Sequence, residues 1–138
     1  MNFLKFFFVL VLISGTTLAR AEPHGILILR AEITSDGKVS QIETSAHPIG
    51  QYTSSDGPGS PVKVSLIRGG TSLYEVNILP SFEMIFSGRT ASEKVTLDKT
   101  IMVVSVPNLP TATHVKIKAY SKPEILVPIC RANCGSGK

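Results

Sequence analysis

Residues 62–78, VKVSLIRGGTSLYEVNI, decide the fold class of this 138-residue chain. Apolar and polar residues alternate along the first half, the alternation breaks at the RGGT tetrapeptide, and an alternating pattern then resumes. Side chains on a β-strand point to opposite faces in turn, so this pattern predicts two strands joined by a glycine-containing turn. The stretch therefore predicts a β-hairpin.

Hydrophobic matching predicts the register of this hairpin. A two-residue loop at the glycine pair would set Val64 opposite Glu75 and bury a carboxylate, which costs several kcal/mol without a partner. A three-residue loop over residues 69–71 sets Val64 opposite Val76 instead. Because burial fixes register, we predict the three-residue loop with a glycine in a bulged turn.

Further strands are predicted from periodicity on both sides of this hairpin. Residues 26–34 have one fully apolar face, and an Asp-Gly turn leads from them to a second strand at residues 39–44. In residues 82–86, Phe82, Met84 and Phe86 are predicted to point inward. Residues 100–106 are the most continuously apolar and are predicted to form a sheet centre. Residues 113–120 alternate cleanly, and residues 124–129 are predicted to form a short edge strand.

These segments predict an all-β chain, built as a single antiparallel β-sandwich of about seven strands. Residues 45–61 interrupt the pattern with prolines, glycines and serines and predict a long loop. Loops of this length are either functional or flexible connections, and both interpretations stay open. Ile49 and Tyr52 are the residues expected to attach the loop to the body of the domain.

The N-terminal residues 1–21 follow the pattern of a cleaved secretory signal peptide. A charged start precedes a short apolar block, and Ala19 and Ala21 supply an A-x-A cleavage site. The apolar block is shorter than the roughly 20 residues that a membrane span needs. We therefore expect an exported chain, in a periplasm or outside the cell, which does not span a membrane after cleavage. Residues 22–129 are expected to form the β-domain and residues 130–138 a tail.

The net charge argues against a nucleic-acid-binding protein. The formal charge is +4 for the whole chain. The predicted leader carries Lys5 and Arg20 and no acidic residue, so removing it lowers the charge to +2. A charge this small is not the basic footprint that nucleic-acid binding requires.

The strand segments resemble the small immunoglobulin-like and fibronectin-III-like β-sandwich domains of secreted bacterial proteins. The resemblance is carried by ILILRAEITSDGKV, VSLIRGGTSLYEV and IMVVSVPNLPTATHVKIKAY, which span most of residues 26–129. Two family features are missing, namely a core tryptophan and a cysteine pair between the sheets. The resemblance implies adhesion, substrate positioning or partner contact, and it implies no catalytic residue.

A basic strand is the first candidate binding surface. Lysines alternate with apolar residues in residues 113–120, and the residues predicted on its polar face are His114, Lys116, Lys118 and Tyr120. They suit a protein or anionic surface partner. The alternative is that lysines on an outer strand prevent sheet-to-sheet aggregation. Ile49 and Tyr52 of the long loop are the second candidate surface.

Cys130 and Cys134 suggest a small terminal disulfide, as expected in an exported protein. Because Cα atoms four residues apart in a strand lie about 13 Å from each other, the segment must turn to form it. Free thiols or pairing with another chain are the alternatives. The spacing is neither a redox C-x-x-C motif nor a sufficient zinc set, and the sequence predicts no cofactor and no metal.

The sequence contains no motif for catalysis. Serine, histidine and aspartate are present, but without Gly-x-Ser-x-Gly or comparable local context. We therefore predict an exported, non-enzymatic β-sandwich module for binding a protein or a surface ligand. One alternative is a structural subunit that assembles by strand addition through residues 26–33, and another is a small secreted hydrolase. The oligomeric state is left open.

Overall fold

The computed structural model describes residues 24–88 and 91–131. All of its regular structure is β, and every strand pairing is antiparallel. The strands are β1 (Ile26–Thr34), β2 (Val39–His47), β3 (Val62–Arg68), β4 (Thr71–Ile78), β5 (Glu83–Ser87), β6 (Ser92–Thr96), β7 (Lys99–Pro107), β8 (His114–Ala119) and β9 (Ile125–Pro128).

The strands form two larger sheets and one small one. The first sheet has the order β2-β1-β7, the second has the order β4-β3-β8-β9, and β5 pairs with β6 alone. The all-β prediction is confirmed, whereas nine strands occur in the described ranges where about seven were expected. No strand was predicted at Ser92–Thr96, whose sequence SEKVT has one apolar residue, but its pairing with β5 makes it a strand.

The two larger sheets share one hydrophobic core, and β1 is its central strand. Every second residue of β1, namely Leu27, Leu29, Ala31 and Ile33, has no exposed surface. The inward residues of β3, β4, β7 and β8, together with Ala112, complete the same cluster. The predicted apolar face of β1 is therefore confirmed.

The hairpin of β3 and β4 has the predicted register but not the predicted loop. Val64 lies opposite Val76, as hydrophobic matching requires. The loop has two residues, because Gly69 and Gly70 both have positive φ angles, 54° and 82°, which is the signature of a type I′ turn. The extra residue is taken up by a bulge at Leu73, between the turn and the first core pair. Glu75 remains on the outer face, 3.6 Å from Lys63.

The prediction that residues 100–106 form a sheet centre is wrong. β7 is an edge strand, because it pairs with β1 on one side and with no other strand of the described chain. Its side chains Met102, Val104 and Val106 fill the core, while Ile101 and Val103 point outward and are 53% and 56% exposed. The apolar run therefore reflects two apolar faces on one edge strand.

The 48–61 loop connects the edges of the two larger sheets. The N–H of Thr53 donates to the carbonyl oxygen of Ser105 at 2.8 Å, and its hydroxyl accepts the N–H of Ser105 at 2.8 Å. The Asp56 carboxylate accepts the N–H of Leu79, just after β4, at 2.7 Å. The loop thus covers the β7 edge at one point and the β4 edge at another, and we call it the strap.

β5 and β6 form a hairpin, here called the arm, which makes few contacts with the rest of the described chain. At its base the N–H of Leu97 donates to the carbonyl oxygen of Phe82, and Phe82 packs against the core. The prediction that Met84 and Phe86 also point inward is wrong, since both are exposed. Of the whole apolar segment, only its first residue reaches the core.

Candidate functional site

The basic strand is present, but it is not at an edge. β8 lies between β3 and β9, so the aggregation-protection interpretation of its lysines is wrong. Lys116 Nζ lies 3.7 Å from the Glu124 carboxylate, and Lys118 lies opposite Lys63 of β3. His114 Nδ1 lies 2.9 Å from the Thr113 hydroxyl. The positive charge of this face is therefore partly paired within the chain.

Tyr120 does not share the face of these residues, contrary to the sequence prediction. It follows the last residue of β8 and has a positive φ of 52°, which ends the alternation of the strand. Its ring is half-buried, packs against the core and covers Gly37. The predicted four-residue surface is thus a three-residue surface.

The two candidate residues of the long loop have different environments. The rings of Tyr52 and Tyr74 lie 6.5 Å apart between centroids, so Tyr52 attaches the strap to β4 as expected. Ile49 is 87% exposed and does not attach the loop, which corrects its predicted role. Backbone groups and the side chains of Thr53 and Asp56 hold the strap instead, and hydrophobic reasoning could not identify them.

The cysteine prediction falls largely outside the described residues. Cys130 is half-buried at the end of the described chain, and Cys134 lies beyond it. Arg131 donates to the carbonyl oxygen of Ala112 at 2.8 Å and to the Asn108 side chain at 3.3 Å, which fixes this end against the loop after β7. The predicted disulfide stays a prediction, and so does the signal peptide, whose residues 1–21 are also outside.

A small groove is present beside the β1–β2 turn. It has a volume of about 280 Å³ and lies between the β1–β2 turn and the β8–β9 connection. Its apolar lining comes from Val39, Ile117 and Ile125, and charged groups of Asp36 and Lys122 lie at its rim, 3.7 Å apart. Ligand pockets are commonly about 300–1,000 Å³, so the groove suits at most a small molecule.

The carboxyl group of Asp36 at this rim is stabilised in its charged form. The Thr34 hydroxyl donates a hydrogen bond to it, and the Lys122 ammonium group adds electrostatic attraction. These contacts hold the pKa of Asp36 below its ordinary value of 3.8. The β1–β2 turn is thus stabilised by a charge that acid removes.

We expect Asp36→Asn to be less stable than the native chain at neutral pH and equally stable in strong acid. A carboxylate whose pKa is lowered on folding stabilises the fold above its unfolded pKa, and this stabilisation is lost as the pH falls through the folded pKa. Melting temperatures measured from neutral pH to about pH 2 test this expectation. Lys122→Gln should show a smaller loss in the same pH range. A deficit of Asp36→Asn that persists in acid would contradict the electrostatic origin.

One serine–histidine contact bears on the hydrolase alternative. Ser45 Oγ lies 3.2 Å from His47 Nε2, near the end of β2, and both residues are exposed. A nucleophilic serine needs its histidine to be oriented by a third group and needs donors for an oxyanion. Within residues 24–88 and 91–131, no carboxylate is hydrogen-bonded to His47. The contact is a hydrogen bond between two exposed residues of the same strand, β2.

Metal-ligating side chains do not converge in the described part of the chain. No group of three or more His, Cys, Asp or Glu residues there could hold a metal ion. In the same residues, no helix has the length and apolar content needed to cross a membrane.

The arm is the most conspicuous exposed apolar feature, and sequence reasoning missed it. The strand pairing places Met84 opposite Val95 and Phe86 opposite Glu93, so one face of the arm is largely apolar. Ile85, on the other face, is 66% exposed and lies beside the ion pair of Glu83 and Lys94, which are 2.6 Å apart. The available sequence signal was the run of three consecutive apolar residues, Met84, Ile85 and Phe86. A strand that buries one face needs an apolar residue only at every second position, so such a run indicates apolar side chains on both faces.

Comparison with protein-family models, curated proteins and solved structures finds no match to this chain.

Proposed function

We propose that this chain is an exported, non-enzymatic module with an immunoglobulin-like β-sandwich architecture that binds a protein partner through its arm. The observation that carries the proposal is the exposure of Met84, Ile85 and Phe86 on a hairpin that contributes little to the core. Export follows from the leader pattern of residues 1–21.

The sandwich architecture is supported by the shared core of the two larger sheets. Side chains from both sheets form one buried cluster, as the inner faces of packed sheets do. Outside the arm, the described residues form seven strands in sheets of three and four. Resemblance to the immunoglobulin-like domains rests on this arrangement together with the sequence segments quoted above.

The energetics of the arm favour a binding role. A two-stranded hairpin by itself is marginally stable in water, and a third strand or a packed surface normally supports it. Phe86 is 53% exposed, so burying the rest of its side chain would contribute roughly 1–1.5 kcal/mol. Aromatic residues and methionine are enriched in protein interfaces, where a few buried side chains supply most of the affinity. The arm presents both residue types on one face.

The chemistry of the arm also indicates the kind of partner. Phe86 and Met84 require an apolar cleft, and the Glu83–Lys94 ion pair on the other face suits a polar rim. The basic strand is a weaker candidate because Lys116 is already paired with Glu124. The small groove by Asp36 offers too little volume for a protein segment.

Site-specific photo-crosslinking in cells of the source organism tests the proposal. A photoreactive amino acid at Phe86 should give a discrete adduct with another protein, and purified native chain should compete for it. The same amino acid at Leu126, an exposed apolar residue of β9, is the matched control. A Met84→Ser/Ile85→Ser chain should melt like the native one but fail to compete.

Equal adducts at both positions, or adducts that native chain does not displace, would contradict binding through the arm. Adducts formed solely with a second copy of this chain would replace the heterologous partner with self-association.

A further inference from the structure

The exposed edge of β7 has unpaired hydrogen-bonding groups over its first half. The N–H and the carbonyl group of Ser105 both point away from β1 and bond to Thr53. The carbonyl oxygen of Asp98, in contrast, points towards β1 and accepts the N–H of Ser35 at 2.9 Å. Backbone groups of a strand alternate in direction, so those of the other odd-numbered residues, Lys99, Ile101 and Val103, also point outward. No hydrogen bond to these outward groups occurs within the described residues.

The other three edges of the two larger sheets carry devices that discourage pairing. In β2 a bulge opposite Ala31 includes Gln41, whose φ is +48°. The edge of β4 is bulged at Leu73 and is covered by the strap near Asn77. The edge strand β9 has four residues and ends at a proline. Bulges, covering loops, short length and proline are the usual protections of exposed edges.

The unprotected part of β7 is also apolar. Ile101 and Val103 project from the outer face beside these outward backbone groups, and both are more than half exposed. A strand edge that is exposed, extended and apolar is a template for pairing with another strand. The first half of β7 has all three properties.

We propose that this edge pairs with the same edge of a second copy of the chain, antiparallel and with Ile101 at the two-fold axis. The pairing joins two three-stranded sheets into one of six strands, with β7 beside β7 of the partner copy at its centre. It goes beyond the proposed function, because it does not use the arm.

The register follows from the strap and from the charges. Centring the pair on Ile101 sets Lys99 opposite Val103 of the partner copy and leaves Ser105 bonded to Thr53. Centring it on Met102 or Val103 would require Ser105 to pair with the partner copy and would break the strap. Centring the pair on Thr100 would set Val103 opposite Leu97 of the partner copy. The N–H of Leu97 could not bond there, because it already donates to the carbonyl oxygen of Phe82.

Two properties favour a second copy as the occupant: the outward residues 99, 101 and 103 are symmetric about Ile101, and no like charges oppose the pairing. Lys99 Nζ lies 3.3 Å from the Glu32 carboxylate, so the cation next to the interface is neutralised within its own chain. In the proposed register Lys99 lies opposite a valine, so no like charges face each other. Ile101 packs against Ile101 of the partner copy, and the three outward residues of each chain form about six hydrogen bonds.

The expected affinity is modest. Five residues per chain bury less than the roughly 800 Å² per partner of standard stable interfaces, which places the dimer among weak, transient complexes. We expect a dissociation constant on the order of 10–100 μM.

Sedimentation velocity at increasing concentration tests the proposal. The native chain should shift from monomer to dimer across that range, and Ile101→Lys should weaken dimerisation at least about tenfold by placing two cations at the axis. Leu126→Lys, an equally exposed apolar position, should dimerise like the native chain. A native chain that stays monomeric at the highest concentration, or an Ile101→Lys chain that still dimerises, would overturn the proposal.

Cysteine crosslinking tests the register. Ile101→Cys should form an inter-chain disulfide, since directly opposite residues lie about 5.5 Å apart between Cα atoms. Val103→Cys should not, because the two Val103 residues are offset along the strands, and the unmodified chain corrects for native cysteines. Faster crosslinking at Val103 would overturn the register. Dimerisation that Phe86→Ser abolishes and Ile101→Lys does not would assign self-association to the arm instead.

Discussion

Replacement of Leu29 by alanine is expected to lower the free energy of unfolding by about 3–5 kcal/mol, near the upper end of the range for buried leucine. Leu29 lies in the middle of β1, the central strand of its sheet, and has no exposed surface. The substitution removes buried apolar atoms and leaves a cavity, because β2 and β7 hold the backbone of β1 on both sides. Domains of this size are stable by about 5–15 kcal/mol, so this loss is a large fraction of the total.

Urea denaturation of the native and Leu29→Ala chains measures this difference. Leu126→Ala is the matched control, since it removes the same atoms from an exposed position and should cost less than about 0.5 kcal/mol. Comparable losses in the two variants would show that β1 is not the centre of the core.

Replacement of Gly25 by alanine should cost about 2–4 kcal/mol through two separate effects. The φ of Gly25 is +77°, a left-handed conformation that a Cβ atom disfavours. A Cβ at this position would also lie 2.1 Å from the carbonyl oxygen of His47, which is backbone and cannot rotate away. The close approach occurs where the chain enters β1 beside the end of β2.

Gly57→Ala separates these two effects. Gly57 in the strap has a φ of +91°, and nothing lies within 4 Å of a Cβ built there. It should lose only the conformational term, about 1–2 kcal/mol, and the difference between the two variants measures the steric term. Equal thermal shifts for both variants would contradict a close approach between Gly25 and His47.

The parts of the fold that were predictable from sequence are those with one buried face and one solvated face. In β1 the alternate apolar residues mark the core directly, because burial and side-chain period coincide. The same logic gave the register of the β3–β4 hairpin at Val64. It failed for the loop, because the extra residue can be placed either in the turn or in a bulge at Leu73, and both satisfy the core pairs. The Gly-Gly type I′ turn matches the right-handed twist of the strands and favours the bulge.

The parts that were not predictable are those where apolar residues face solvent. Periodicity cannot distinguish an apolar edge strand from a sheet centre, and the prediction therefore placed residues 100–106 at a sheet centre. For the same reason, periodicity wrongly predicted that Met84 and Phe86 of the arm point towards the core. It had also suggested residues 26–33 for strand addition, but β1 is paired on both sides and cannot accept a further strand.

The candidate binding residues show a second limit. The alternation of β8 correctly placed His114, Lys116 and Lys118 on one face. Tyr120 does not lie on that face, because its positive φ ends the alternation. Sequence spacing gives no warning of a residue with positive φ other than glycine, since such residues are uncommon. It also could not show that Lys116 is paired with Glu124.

The strap has a consequence for the order in which the chain folds. Its bonds join Thr53 to Ser105, residues 52 positions apart in the sequence, and they require the edges of both larger sheets to be in place. Because the outer edge of β7 is in place only once β7 has paired with β1, the bonds between Thr53 and Ser105 form after that pairing. Interactions that are absent from the folding transition state slow unfolding without speeding folding. The strap should therefore mainly lengthen the lifetime of the native state, because its bonds form late in folding and break early in unfolding.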